Sequence, residues 1–237
     1  MVITSETQVR DIAVEYPTSI PVLERFGIDF CCGGKHTLAE ACTRRAVDVD
    51  PVLQELELQR QKTSAPEVQW QSAPLKELAD YIVTRHHAFT REQIQLIGGL
   101  MAKVEARHGA DHPEVSQIAK VFAVVSAELA HHFVCEETIL FPCIGKLDGG
   151  QPAALPPMFG SVAQPIARMM ADHDQAGGEL RELRSLTNDY TPPTAACTTW
   201  RALYRALEDL EQDLHQHIHL ENNILFPRAL AQTMETV

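Results

Sequence analysis

The chain has 237 residues, 45% hydrophobic and 22% charged, a composition typical of a globular protein with one large domain or two unequal ones. Its 20 basic and 32 acidic residues give a net charge of −12 without a basic cluster, which excludes nucleic acid and anionic membranes as expected partners. No signal-peptide pattern or run of about 18 apolar residues occurs, and the six cysteines do not resemble a disulfide framework. We therefore expect a cytoplasmic protein with reduced thiols.

Short helical patterns fill residues 1–61, which we assign to a small α-helical N-terminal domain. Breaks fall at Gly27 and at the pair Gly33 and Gly34. The helices are expected at residues 9–14, 19–26, 37–45 and 51–61. Residues 62–74 contain two prolines and several small polar residues, so we assign them to a flexible linker.

Residues 75–237 show four long helical patterns separated by glycine and proline. Apolar side chains recur at helical spacing, and few alternating β-branched segments occur. The helices are expected at residues 75–107, 114–144, 164–186 and 195–231. The predicted fold class is all-α, a four-helix bundle joined to the small N-terminal domain.

A repeated motif in the second and fourth bundle helices carries the first candidate ligands. Residues 132–142 and 217–227 both read His-x-x-x-Glu-x-x-Ile-Leu-Phe-Pro, 85 residues apart. The histidine and glutamate of each copy are four residues apart and share one helix face. Two such faces in a bundle core supply the imidazoles and carboxylates typical of di-iron proteins. We interpret the Ile-Leu-Phe-Pro ends as helix termination and core packing.

Register along the helices selects the remaining candidates. His87 lies 45 residues before His132, and His173 lies 44 residues before His217, with predicted turns near both midpoints. Antiparallel hairpins would therefore place each pair at a similar depth. His108 lies roughly 30 Å along the helix from His87 and is expected at the bundle end. The predicted metal ligands are His87, His132, Glu136, His173, His217 and Glu221, a set that suits iron, manganese or zinc, with iron favoured for a bridged pair.

Two adjacent cysteines form a second candidate site. Cys31 and Cys32 precede a Gly-Gly turn and a helix expected to begin near Thr37. Because a helix N-terminus lowers thiol pKa, we expect reactive or iron-binding thiolates here. The alternatives are buried structural cysteines, or a zinc site completed by His36 and Cys42 at an unusual spacing.

These motifs resemble a known family. Residues 24–42 are similar to the short ScdA-type N-terminal domain, and residues 75–231 are similar to a hemerythrin-like domain. The most specific segments are residues 29–34 (Asp-Phe-Cys-Cys-Gly-Gly), 136–142, 195–200 (Ala-x-Cys-Thr-Thr-Trp) and 220–227. Nearly the whole chain therefore resembles the Ric (repair of iron centres) family of di-iron iron-sulfur cluster repair proteins.

The resemblance implies two non-haem iron ions with an oxo or hydroxo bridge, held by the six residues that register selected, with Glu136 and Glu221 bridging. It implies a bacterial stress-response protein that restores iron-sulfur proteins damaged by nitrosative or oxidative stress, by supplying iron. Those damaged proteins would be its partners, and a second copy of the chain in a homodimer would be another. Cys31 and Cys32 would carry iron in transit or contact the partner.

One position departs from the oxygen-carrying hemerythrins, which have a further histidine one turn after the third-helix ligand. Here that position is Gly177, which implies open coordination and looser iron. Asp172, beside His173, is expected to orient an imidazole. Two other functions remain open at this point, a di-iron nitric oxide reductase and a sensor of oxygen or nitric oxide.

Overall fold

The computed structural model describes residues 2–62, 69–148 and 161–235. Within these ranges the regular structure is helical, with one isolated antiparallel bridge between Gln8 and Thr37. The all-α fold class is therefore confirmed. Eight helices, α1 to α8, are numbered here in chain order.

Four short helices form the N-terminal unit, close to the expected positions: α1 (Val9–Glu15), α2 (Ile20–Arg25), α3 (Leu38–Arg44) and α4 (Val49–Lys62). Gly27 follows α2 with a φ of +64°, and a Cβ there would lie 2.4 Å from the Arg45 guanidinium, so this turn favours glycine. A capping box begins α3, because Thr37 and Glu40 each accept a hydrogen bond from the other's backbone N–H.

Four long helices form the bundle, and three of them contain a π-helical turn between α-helical parts. The bounds of the parts are α5 (Leu75–Tyr81, Ile82–His87 and Ala88–His108), α6 (Pro113–Cys135, Glu136–Leu140 and Phe141–Leu147), α7 (Ala163–Leu186) and α8 (Thr198–Leu220, Glu221–Leu225 and Phe226–Glu235). Helix α5 packs against α6 and α8, and α6 packs against α7.

The Ile-Leu-Phe-Pro segments widen their helices instead of ending them, so the predicted helix termination is wrong. Phe141 N–H bonds to the carbonyl five residues earlier, and so does Phe226 N–H. Pro142 and Pro227 follow and have no N–H to donate, which disfavours the ordinary four-residue pattern at this point. The core-packing part of the prediction is right, since both phenylalanines are buried. The π-turns fall at the two predicted glutamate ligands, as π-bulges frequently fall at functional sites.

Two apolar clusters fill the bundle, one towards each end. One contains Phe122, Trp200 and Leu207, and the other contains Leu78, Leu140 and Phe226. Buried histidines and glutamates, which carry titratable groups, lie on the same four helices. Buried polar groups are costly without partners, so the histidines and glutamates mark the candidate site.

By length and composition alone, the helical run Pro113–Leu147 could cross a membrane. The core helix of a soluble protein passes the same test. This run buries Phe122, Phe133 and Ile144 in the bundle, together with His132 and Glu136. Only 33% of its most apolar window is buried, and Val124 and Val134 are exposed, so packing within the chain accounts for part of its apolar character.

The N-terminal unit packs directly on the bundle. Ile218 of α8 belongs to the apolar cluster of the N-terminal unit. The Asn223 side chain donates a hydrogen bond to the Phe30 carbonyl at 3.0 Å, and the Phe30 ring meets His219 edge-on at 5.5 Å between centroids. These contacts join the two parts of the chain around the end of α8 that carries the second motif copy.

Part of the predicted linker is also packed. Residues 63–68 lie outside the described residues. Beyond them, the Gln71 side chain donates to the Val14 carbonyl at 2.7 Å. Arg228 donates to the carbonyls of Trp70 and Ala73, both at 2.6 Å. Residues 69–74 are therefore held by both α1 and α8, which a flexible coil would not be.

Candidate metal centre

The six predicted ligands come together in the bundle core. Each of the four bundle helices contributes at least one of them, and every one is buried, with 0–4% of its surface exposed. They form two overlapping groups whose ligand atoms all lie within 4.8 Å of one another. One group contains His87, Glu136, His217 and Glu221, and the other contains His132, Glu136, His173 and Glu221.

We call the first group's centre the first position. The Nε2 atoms of His87 and His217 are 3.3 Å apart there. Glu136 Oε2 lies 3.3 Å from His87 Nε2, and Glu221 Oε1 lies 3.0 Å from His217 Nε2. Two imidazole nitrogens and one oxygen from each glutamate thus converge on this position.

The second group's centre, the second position, repeats this arrangement. The Nε2 atoms of His132 and His173 are 3.1 Å apart. Glu136 Oε1 lies 3.1 Å from His132 Nε2, and Glu221 Oε2 lies 3.0 Å from His173 Nε2. Each glutamate therefore directs one oxygen to each position, which is the arrangement of a carboxylate that bridges two cations.

The donor set fits metal ions. Both oxygens of Glu136 and Oε2 of Glu221 are buried without a hydrogen-bond partner among the described residues. Buried polar atoms are normally satisfied, and an unsatisfied carboxylate oxygen is especially costly. Cations at the two positions would satisfy these oxygens and the imidazole lone pairs directed at them.

Outer hydrogen bonds hold two of the histidines, one at each position. Glu137 Oε1 lies 2.7 Å from His87 Nδ1 and also accepts a hydrogen bond from Arg91. Asn222 Oδ1 lies 2.9 Å from His173 Nδ1. Both oxygens are acceptors, so each Nδ1 carries the proton and each Nε2 presents its lone pair to the centre.

These two orienting residues were missed from the sequence, although a signal was present. Glu137 and Asn222 directly follow the glutamates of the two motif copies and are 85 residues apart, like the ligands themselves. The repeat thus extends by one functional position. Asp172 of α7 was predicted to orient an imidazole. Its Oδ2 lies 3.5 Å from Nδ1 of His132, which belongs to the neighbouring helix α6.

The charges of the centre act strongly on one another. Burial alone would lower the pKa of His132, but the carboxylates of Glu136 and Glu221 outweigh it and raise this pKa to about 9. Burial alone would raise the pKa of Glu221, yet the imidazoles of His217 and His173 hold it well below its usual range. Carboxylates that stabilise a protonated imidazole this strongly also attract metal cations, so metal binding would release protons from the histidines.

A pocket of about 280 Å³ reaches the centre from the side. His132, His173 and His217 line it, together with residues that include Glu128 and Asp172. The pocket gives small solutes a path to the imidazoles of both positions.

The cysteine pair differs from the expectation of activated thiols. Leu38 is the first residue of α3, and Cys31 makes hydrogen bonds with Asp29 and Cys32. The hydrogen bond to Cys32, burial and the Asp29 charge instead raise the pKa of Cys31 well above its usual range. The predicted lowering of this thiol pKa is therefore wrong.

Cys32 is the more exposed cysteine of the pair and lies against α7. Its Sγ is 3.6 Å from the backbone carbonyl of His173. A Cβ on Gly177 would lie 3.6 Å from the same sulfur. The glycine that stands where oxygen-carrying hemerythrins have a histidine therefore leaves space in which the Cys32 thiol packs.

The other sequence candidates lie apart from the centre. Cys42 is buried in the apolar cluster of the N-terminal unit, and His36 pairs with Glu40 on the surface. No metal group within the described ranges includes Cys42 or His36. His108 contacts Cys197 and Trp200 at the start of α8, at the opposite end of the bundle as expected.

The fold and this centre define a hemerythrin-like, cation-binding bundle joined to a small helical unit. The Hemerythrin HHE cation binding domain matches residues 78–229, and ScdA_N, a domain of unknown function (DUF542), matches residues 5–60. The iron-sulfur cluster repair proteins YtfE of Escherichia coli O81 and Cronobacter sakazakii are each 41% identical over 222 residues, 93% of this chain and 95% of the relative. The YtfE protein of Escherichia fergusonii is 40% identical with the same coverage. The chain belongs to this family of iron-sulfur cluster repair proteins, and the resemblance seen in its motifs is confirmed.

Proposed function

We propose that the protein holds two iron ions and restores damaged iron-sulfur clusters by supplying iron from this centre. The observation that carries the proposal is the pair of buried glutamates, each of which directs one oxygen to each of two positions. The family supports it, since the relatives carry the name of iron-sulfur cluster repair proteins. That name does not favour the reductase and sensor alternatives.

In this proposal Glu136 and Glu221 bridge the two ions, and two histidines bind each ion terminally. The ions are the cargo, and each position offers four protein ligand atoms. Because iron accepts more than four ligands in mixed imidazole and carboxylate sites, open positions remain. The side pocket gives exchangeable ligands access to them. Such a centre holds iron against loss in bulk solvent while leaving it removable.

Cys32 receives iron or contacts the damaged partner protein in this proposal. It lines a cleft of about 1040 Å³ between the N-terminal unit and helices α7 and α8. Its contact with the His173 carbonyl places a soft sulfur ligand next to the backbone of the centre. All six cysteines are free thiols, which supports a reducing compartment such as the cytoplasm.

Metal analysis and Mössbauer spectroscopy of protein purified without air test the centre. We expect about two iron ions per chain with the magnetic coupling of a bridged pair. Protein that holds one uncoupled ion, or a different metal, would overturn the di-iron part of the proposal.

A double variant tests the cysteines. Cys31→Ser with Cys32→Ser should keep both irons and lose most of the ability to restore a nitric-oxide-damaged iron-sulfur enzyme. Cys197→Ser is the matched control, because Cys197 is an exposed thiol at the far end of the bundle. Full repair by the double variant would reduce the pair to a structural role, and loss of iron would mean that they belong to the metal centre.

A further inference from the structure

One ligand histidine differs from the other three in its outer contacts. The Nδ1 atoms of His87, His132 and His173 each face an acceptor oxygen. The Nδ1 of His217 is buried and has no hydrogen-bond partner among the described residues. Buried ring nitrogens are normally satisfied, so the difference calls for a cause.

His217 lacks a partner because the two halves of the bundle are not exact repeats of each other. The second position's His132 is faced by Asp172, the residue directly before the ligand of α7. The corresponding residue before the ligand of α5 is His86, a ring where the other half has a carboxylate. The His86 ring stacks on His217, with centroids 5.8 Å apart and an 11° angle between planes.

His86 is also paired with a carboxylate of its own. Its Nδ1 pairs with Asp213 Oδ2 at 3.1 Å, so that buried carboxylate is not aimed at His217. The stack fills the space beside His217 without supplying an oxygen. A histidine that binds metal through Nε2 carries its proton on Nδ1, and here this N–H would remain unpaired.

We propose that the two positions hold iron unequally, and that the first position, between His87 and His217, releases its ion first. The inference rests on the proposed two-iron function and names which ion is delivered. Removal of an outer hydrogen-bond partner from a metal-binding histidine typically lowers metal affinity by about 10–100-fold. His217 lacks such a partner in the native sequence.

The short contact between His87, the other histidine of the first position, and Glu137 does not reverse the expected order of release. His87 is held by the Glu137 carboxylate at 2.7 Å, through an oxygen that Arg91 also binds, and His173 is held by the Asn222 amide at 2.9 Å, so both ligands have an acceptor on Nδ1. The difference between His132 and His217 therefore decides which position releases its ion first. His132 has the Asp172 carboxylate at 3.5 Å, and His217 has no acceptor.

Iron release from the two-iron wild-type protein tests the inference directly. With excess chelator, we expect two phases of equal amplitude, with the first about tenfold faster or more. Crystals of protein stopped after the first phase should show iron-edge anomalous scattering mainly between His132 and His173. Single-phase release, equal occupancy of the two positions, or iron retained between His87 and His217 would overturn the proposal.

A variant provides an independent measurement. Asn222→Ala removes the acceptor from His173, so release from the second position should accelerate and the two phases should approach each other. Gln216→Ala, an exposed change on α8, should leave both phases unchanged. An unaltered slow phase in Asn222→Ala would contradict the proposed effect of outer contacts. Wild-type protein that never binds two irons would instead refute the proposed function on which the inference rests.

Discussion

At the scale of single residues, a glutamate that faces both positions differs in kind from one that faces a single histidine. Glu136 and Glu221 each have one oxygen near an imidazole nitrogen of the first position and the other oxygen near an imidazole nitrogen of the second position. These oxygen–nitrogen distances are 3.0–3.3 Å. Glu137 approaches only the outer nitrogen of His87. Although Glu136 and Glu137 are adjacent in sequence, their removal should have different effects.

We predict that Glu136→Ala or Glu221→Ala loses most of the iron, because each removes one ligand from both ions. Glu137→Ala should keep part of the iron, since it weakens one ligand through its orientation. His108→Ala, at the far end of the bundle, is the control and should bind like the wild type. Iron per chain and the visible spectrum measure these effects. Near two irons in both bridging variants would refute the bridging assignment.

The residues of the centre were predictable from the sequence to different degrees. The repeated His-x-x-x-Glu gave four candidates by spacing, and register along the helices selected His87 and His173. Asp172 was expected to orient an imidazole and Asn222 lies in the repeat, but which histidine each of them contacts was not predictable. Each reaches a histidine on another helix, so the rotation of both helices must be known. The missing partner of His217 was beyond sequence reasoning for the same reason.

At the scale of helices, the number, order and approximate bounds of α1 to α8 followed from apolar periodicity and from glycine and proline breaks. The π-turns did not. A π-turn changes the hydrogen-bond partner by one residue while side chains continue at near-helical spacing, so periodicity alone does not reveal it. The prolines after Phe141 and Phe226 were visible, but they signal either a helix end or a local widening.

The surface of α7 should also control where the segment that carries Cys31 and Cys32, called the cysteine loop here, lies. A Cβ at Gly177 would be in ordinary contact with Cys32 Sγ at 3.6 Å, whereas a Cβ at Gly178 would contact only Arg181, at 3.8 Å. We predict that Gly177→Leu displaces the loop, so that Cys32 is alkylated faster and repair activity falls, while iron content is retained.

Gly178→Leu is the matched control, with the same gain in helix propensity and no contact with the cysteine loop. It should show wild-type alkylation and repair. Equal behaviour of the two leucine variants would mean that the space at Gly177 does not position Cys32.

At the scale of the whole molecule, the packing of the N-terminal unit on the bundle was the main feature that the sequence did not predict. A stretch rich in proline and small polar residues indicated a flexible connection, and local patterns give no sign of contacts such as Asn223 with Phe30. The Asn223–Phe30 contact joins residues 193 positions apart, and it is one of several contacts at this junction. These contacts place the cysteine pair beside the metal centre without requiring a large movement of the chain.

One ionisable group at this junction should make the packing depend on pH. Glu24 of α2 is partly buried, and one of its oxygens has no hydrogen-bond partner among the described residues. Burial first, and then the Glu211 charge of α8, raise the pKa of Glu24 from 4.5 to about 7, with Arg184 of α7 acting in the opposite direction. In the folded protein Glu24 is therefore largely protonated below neutral pH.

Because this pKa is raised on folding, the stabilisation is complete below about pH 4.5 and is lost as pH rises to about 7. Raising the pH from 6 to 8 should weaken the N-terminal packing by about 1 kcal/mol, a figure reduced from the full pKa shift because Glu24 is partly exposed to solvent. Hydrogen exchange of backbone amides in α2 measures the effect. Glu24→Gln should remove this part of the pH dependence, while Glu15→Gln, an exposed change on α1, should retain it. The same pH dependence in Glu24→Gln and the wild type would show that another group is responsible.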